Sequence, residues 1–309
     1  MAVAAPERRT IEVGGARVSY TVAGSGQPLV LLHGWAGFWT HFLGLFAQDT
    51  GIKVYAFDMP GWRPADAQQG QHALSAFADA VHAALGALDI HGKVHVMGQS
   101  MGSISALLLA DRHPEAVDRL VLASPPVALI CPGPKRWLFR RLGPALVRNS
   151  LYLRITEQTH KSRWYNYWLA RWTTFYRYDP WFFEQVIMPS ALACDEQTSL
   201  GQTLSLLDVD VWSILERTPN PAAVITGDRD PLIPLEMARQ VTDSLADGQL
   251  FVIPRAKHGI MIEQAEEFRD LTVGFLRQPE TARPDQLNSS PDLRAGSGFA
   301  PPALPADGM

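Results

Sequence analysis

Between residues 10 and 124, short β-rich runs alternate with longer stretches of helical spacing, and this constrains the fold more than any other feature of the chain. Residues 11–13 and 18–22 read as a hairpin turning at Gly14-Gly15. Residues 29–32 are a continuous apolar run, the signature of a strand covered on both faces, and residues 54–57 and 94–97 repeat it. Leu74, Phe77, Val81, Leu85 and Leu88 fall at helical spacing. A second helix is expected over 103–112, ended by His113-Pro114, with a strand at 120–122. The alternation resumes with strands at 222–225 and 250–253 and helices at 235–245 and 263–276. This order predicts an α/β fold, a mostly parallel sheet flanked by helices.

The alternation lapses between 126 and 220, which reads as a helical cap inserted over the sheet. The expected divisions are a first core part over 1–125, the cap over 126–220, a second core part over 221–278 and a tail over 279–309. The tail contains six prolines and no periodic apolar face, a composition expected to stay disordered. With 309 residues and 47% hydrophobic positions, a sizeable core is available. A net charge of -4 gives no global reason to expect a nucleic-acid partner. Cys131 and Cys194 cannot form a disulfide framework and match no metal-ligand spacing. No signal-peptide order and no apolar run of spanning length is present, so a soluble, cytoplasmic protein is expected, with neither cofactor nor metal.

Gly98-Gln99-Ser100-Met101-Gly102 lies between an expected strand and an expected helix. A serine on so sharp a turn needs small residues two positions away on each side, so that the backbone bends without clashes and the hydroxyl rises above the sheet edge. By composition about 0.1 chance matches to Gly-x-Ser-x-Gly are expected in such a chain, and the strand and helix around it lower that further. Ser100 is therefore the candidate nucleophile. A serine hydroxyl needs a base, and the base an orienting carboxylate. Of nine histidines, His258 stands in a loop after a core strand, where parallel α/β sheets place chemistry. Seven of the others fall on helices, inside a strand, at element ends or in the insertion. Asp228 and Asp230 occupy a similar loop, and either completes the order Ser–Asp–His.

Residues ~10–278 resemble the α/β-hydrolase superfamily in its cap-bearing, esterase-like branch. Leu31-Leu32-His33-Gly34-Trp35 is similar to the family's oxyanion segment, and 58–62 to its strand-4 loop. Residues 98–102 resemble its nucleophile elbow, 227–234 its acid loop and 258–268 its histidine loop. The resemblance implies Asp230 as the acid and the backbone N–H groups of Trp35 and Met101 as oxyanion donors. The strand-4 loop departs from the family at Gly61-Trp62-Arg63-Pro64-Ala65, so it is expected to run differently. A serine at the elbow argues against the dehalogenase and epoxide-hydrolase chemistries of the family.

Residues 131–180 hold ten basic and two acidic residues together with eleven aromatics. Such a stretch either packs the cap on the sheet with a solvated basic face, or meets an anionic membrane surface or anionic substrate. The aromatics suggest a hydrophobic acyl or aromatic substrate. His33, Phe38, Trp39, Trp164 and Trp168 are the expected pocket residues. The leading reading is a serine hydrolase that cleaves a carboxylic ester or lactone through an acyl-enzyme, with a small ester-like molecule as its partner. The alternatives are a C–C bond hydrolase of β-diketone-like substrates using the same triad, or a non-catalytic accessory protein of a biosynthetic pathway.

Overall fold

The computed structural model describes residues 5–35, 37–47, 50–59, 73–127 and 134–279. The expectations for Cys131, for the altered loop after Gly61 and for residues 280–309 of the tail lie outside them.

Eight strands form one sheet: β1 (Glu7–Val13), β2 (Ala16–Ala23), β3 (Gln27–Leu32), β4 (Ile52–Phe57), β5 (Val94–Gln99), β6 (Val117–Ala123), β7 (Ala222–Gly227) and β8 (Gly248–Ile253). Their spatial order is β1-β2-β4-β3-β5-β6-β7-β8. The first two pairings, β1 with β2 and β2 with β4, are antiparallel; the rest of the sheet is parallel. The hairpin strand β1 begins four residues earlier than its apolar pattern suggests. It is an edge strand, and Glu7 to Thr10 pair with β2 while their side chains face largely outward.

The parallel strands are buried on both faces, which explains their unbroken apolar runs. Val30 and Leu32 pack into one apolar layer, Leu29 and Leu31 into the other, and Leu120 and Leu122 alternate likewise with Val121 and Ala123. Removing each such side chain from water contributes ~1.5–3 kcal/mol.

On the chain after β3 lie α1 (Leu43–Phe46), α2 (Leu74–Ala87) and α3 (Met101–Arg112). Helix α3 starts directly after Ser100, two residues before the apolar pattern begins. Between β6 and β7 come α4 (Pro134–Leu146), α5 (Ser150–His160), α6 (Arg163–Thr173), α7 (Pro180–Phe182), α8 (Met188–Ala193), α9 (Glu196–Leu206) and α10 (Val211–Arg217). Short polar side chains start several of them: Asn149 accepts from the Tyr152 amide, and Asp195 from the Thr198 amide at 2.8 Å. The core closes with α11 (Leu235–Asp243), α12 (Ile260–Glu263) and α13 (Ala265–Leu276). The single helix expected over 263–276 is thus preceded by a short turn of helix, because Gln264 is non-helical at φ -126, ψ 52.

Strand β3 is the point where the chain order reverses, with β4 on one side and β5 on the other. In open parallel sheets the crevice beyond the strand ends at such a point receives ligands.

Candidate active site

The C-terminal ends of β3 and β5 bring Gly34 and Ser100 together. Ser100 has φ 50 and ψ -122, a conformation that costs a non-glycine residue ~1–3 kcal/mol. The surrounding packing enforces it. A Cβ on Gly98 would sit 2.1 Å from the Gly102 carbonyl oxygen, and one on Gly102 would sit 2.1 Å from that of Leu32. The Ser100 amide donates to the Ala123 carbonyl at 2.8 Å, and the Ser100 carbonyl accepts from the Ser103 amide at 2.8 Å and its hydroxyl at 2.5 Å. The turn is therefore anchored to β6 on one side and to α3 on the other.

The loops after β7 and β8 are joined to each other. Gly227 passes so close to the second loop that a Cβ would lie 2.2 Å from the Ala256 carbonyl oxygen. The Arg229 amide donates to that same oxygen at 3.0 Å. This places the Asp230 carboxylate against the His258 ring, with Oδ2 2.8 Å from Nδ1. Oδ1 of Asp230 accepts from the amides of Leu232 at 2.8 Å and Ile233 at 3.0 Å, and the carboxylate is fully buried. Asp228 is more open and, among the described residues, reaches the Ala256 amide at 3.4 Å and the Arg229 guanidinium at 3.5 Å. The His258 amide in turn donates to the Thr173 carbonyl, at the end of α6.

Ser100 and His258 line a single cavity of about 520 Å³. Its walls are mostly aliphatic, with side chains such as Leu169, Ile187, Leu200, Leu204 and Met261, and among the described residues no Lys or Arg lines it. Trp35 and Met101 border the same space. A Cβ on Gly34 would lie 3.0 Å from that of Ser100, so the segment leading to Trp35 runs alongside the elbow. The Trp35 indole donates to the Ser199 hydroxyl on α9 at 2.5 Å and packs edge-on against His160, tying this loop to the helices above.

The five side chains expected to line the pocket lie elsewhere. His33 is buried behind the loop: its Nδ1 donates to the Gly34 carbonyl at 2.9 Å and its Nε2 accepts from the Met59 amide at 2.9 Å. Burial holds its pKa down at about 4, so it is a neutral ring bracing the loop. Phe38 and Trp39 are buried in the apolar layer beneath, and the guanidinium of Arg8 lies over the Phe38 ring. Trp164 and Trp168 face solvent. His41, assigned no role by the sequence, lines the cavity, and its Nε2 is shielded from water without a hydrogen-bond partner among the described residues. Desolvation pushes its pKa down to about 3. Its only sequence signal is its place eight residues after His33.

Cys194 offers no rival nucleophile: burial pushes its thiol pKa up to about 12. A second hollow of about 450 Å³, lined by His95, Asp118 and Arg119, lies toward the opposite ends of the strands. His82, His113 and Glu115 gather potential metal-ligand atoms within 4.8 Å of one another. They stand near the far end of α3, about 18 Å along that helix from Ser100.

A buried Asp–His pair and a serine on a strained turn, opening on one apolar cavity, define a site of the hydrolytic class. Residues 29–271 match the model of the alpha/beta hydrolase family, and the chain belongs to that family. It is 26% identical to the 2-hydroxy-6-oxo-6-(2'-aminophenyl)hexa-2,4-dienoic acid hydrolase of Metapseudomonas resinovorans, over 87% of this chain and 90% of that one. It is 27% identical to the poly(3-hydroxyalkanoate) depolymerase of Ectopseudomonas oleovorans, over 75% of this chain and 77% of that one. Its fold is similar to that of a thermophilic esterase from Thermogutta terrifontis, with a TM-score of 0.72, 20% identity and coverage of 88% and 98% of the two chains. The protein is a hydrolase. No helix among the described residues is long and apolar enough to cross a membrane.

Proposed function

We propose that the protein cleaves an uncharged, hydrophobic carboxylic ester or lactone through an acyl-enzyme. Ser100 Oγ attacks the carbonyl carbon while His258 Nε2 takes its proton. The Nδ1–H donated to Asp230 leaves the Nε2 lone pair facing the cavity and offsets the charge of the imidazolium. The oxyanion would be held by the amides of Trp35 and Met101, the latter at the start of α3. Collapse expels the alcohol, which takes the proton from His258, and water then releases the acid by the same relay. Helices α6, α8 and α9 form the cap over this chemistry.

The observation that carries the substrate class is the wall of the cavity. The Metapseudomonas relative acts, by its name, on a dienoic acid, and a buried carboxylate needs a cation or several donors to replace its water. Among the described residues the wall is mostly aliphatic, polar side chains in it such as Gln99 and Asn166 are neutral, and no Lys or Arg lies in it. An uncharged acyl group gains from that wall, at ~0.8 kcal/mol or about fourfold in kcat/KM for each buried CH2.

The test is a series of p-nitrophenyl acylates and lactones run beside a 2-hydroxy-6-oxo-dienoate. Activity is expected to climb with acyl length until the cavity is full, and to vanish in Ser100→Ala with the fold retained. Dienoate turnover above that of every ester would establish the C–C reading instead. Failure of Ser100 to react with a fluorophosphonate would favour a non-catalytic accessory role.

A further inference from the structure

Helix α6 turns a line of tryptophans away from the protein. Its buried residues, Asn166, Ala170 and Thr173, share one face. Trp164, Trp168 and Trp172, spaced at i, i+4 and i+8, occupy the opposite one and are 73%, 53% and 59% exposed. Helix α5, which contacts α6, adds Leu151 and Ile155 at 67% and 55% exposure. Burying even one of these indoles would contribute more than a typical surface contact, and soluble proteins seldom leave such a run in water. The line also leads somewhere: Trp172 is at once on the outer face and on the rim of the cavity that contains Ser100.

The charge on this face selects its occupant. Arg171 lies within the tryptophan stripe by helical spacing, and Arg154 stands one residue before Ile155; both are exposed. They belong to the 131–180 segment, with its ten basic and two acidic residues. Indole rings interleaved with guanidinium groups suit the boundary between anionic headgroups and acyl chains, where the ring is half-apolar and the cation meets phosphate.

We infer that the α5–α6 face docks on anionic phospholipid membranes, with Trp164 and Trp168 inserted at the headgroup boundary and the cavity mouth at Trp172 turned toward the lipid. The docking is independent of the bond cleaved within the cavity, so its test needs no turnover.

The full chain is mixed with phosphatidylcholine vesicles with and without phosphatidylglycerol, and binding is read by co-sedimentation. Each basic residue near the surface adds ~1 kcal/mol, about fivefold, so binding to the anionic vesicles is expected to exceed that to neutral ones by at least about tenfold at low salt and to weaken as salt rises. Trp164→Ser with Trp168→Ser should reduce it by a similar factor, and Arg154→Glu with Arg171→Glu should erase the anionic preference. Hydrolysis of a short soluble ester should stay unchanged in the tryptophan variant. Quenching of the native tryptophans by brominated lipid provides a readout that needs no variant. Equal binding to both vesicles, no binding, or full binding without the two tryptophans would overturn the inference. So would sedimentation velocity showing that the face is occupied by a second copy of the chain.

Discussion

Two carboxylates stand two residues apart in the loop after β7, and their surroundings separate them. Asp230 is buried, with one oxygen on His258 and the other on two amides; Asp228 is partly open and weakly held. Replacing Asp230 by Asn removes the charge that fixes the imidazole tautomer, a loss of ~10⁴ in kcat in serine proteases. Asp230→Asn should therefore lower kcat by about that factor and Asp228→Asn by less than about tenfold, measured on one activated ester. His33 gives a second expectation. Its pKa is about 4 in the fold against an ordinary 6.5, so the unfolded chain binds the proton more readily. Stability from this ring is complete above pH 6.5 and declines as the pH falls toward 4, by up to ~1.4 kcal/mol per pH unit. Urea unfolding of His33→Gln should show a shallower pH dependence between those limits than the parent. Ser100 and His258 could be proposed from the sequence because each sits in a short motif whose backbone demands are local, whereas Asp230 was set apart from Asp228 only by the family resemblance. The pocket could not. Which way His33, Phe38 or Trp164 points is decided by partners such as the Met59 amide or by the buried side of α6, distant in sequence or dependent on tertiary packing.

The parallel strands were legible because burial on both faces leaves an unbroken apolar run, and their positions follow the chain closely. Their ends were not, since hydrogen bonding continues past the apolar stretch: β1 includes Glu7 and Arg8, and α3 begins at Met101 because the elbow ends there. The helices between β6 and β7 were legible as a group only. Capping by Asn149 and Asp195 sets where two of them start, a weaker signal than periodicity. Glycines within these elements divide sharply by what surrounds them. Gly102→Ala drives a methyl against the Leu32 carbonyl, backbone that cannot yield cheaply. A loss of ~1–3 kcal/mol or more is expected, seen as a lower melting midpoint together with lost hydrolysis. Gly274 lies inside α13 with nothing within 4 Å of a new Cβ. Gly274→Ala should gain ~1 kcal/mol, raising the midpoint by about 1–2 °C.

One carboxylate joins the inserted helices to the histidine loop. Glu263, at the end of α12, accepts from the Lys257 amide at 2.8 Å through Oε2. Through Oε1 it accepts from the amides of Tyr176 and Arg177, just beyond α6, the latter at 3.1 Å. Burial raises its pKa, and those three amides oppose the rise. A bond from the Lys257 ammonium to the Arg171 carbonyl at 2.6 Å and one from the His258 amide to the Thr173 carbonyl at 2.9 Å run between the same two stretches. The end of α6 and the loop holding His258 are thus bonded to each other at several points, so the cavity wall and the proposed base share a support. Glu263→Ala leaves three amides without their acceptor, and each costs ~1–3 kcal/mol unless water replaces it. The expected outcome is a lower melting midpoint and a fall of about 10–100-fold in kcat, since a displacement near 1 Å can cost that much where orientation matters. Glu263→Gln keeps one acceptor oxygen and should fall between the two. A Glu263→Ala protein with unchanged kcat and a lowered midpoint would show that the clamp supports the fold without aligning His258.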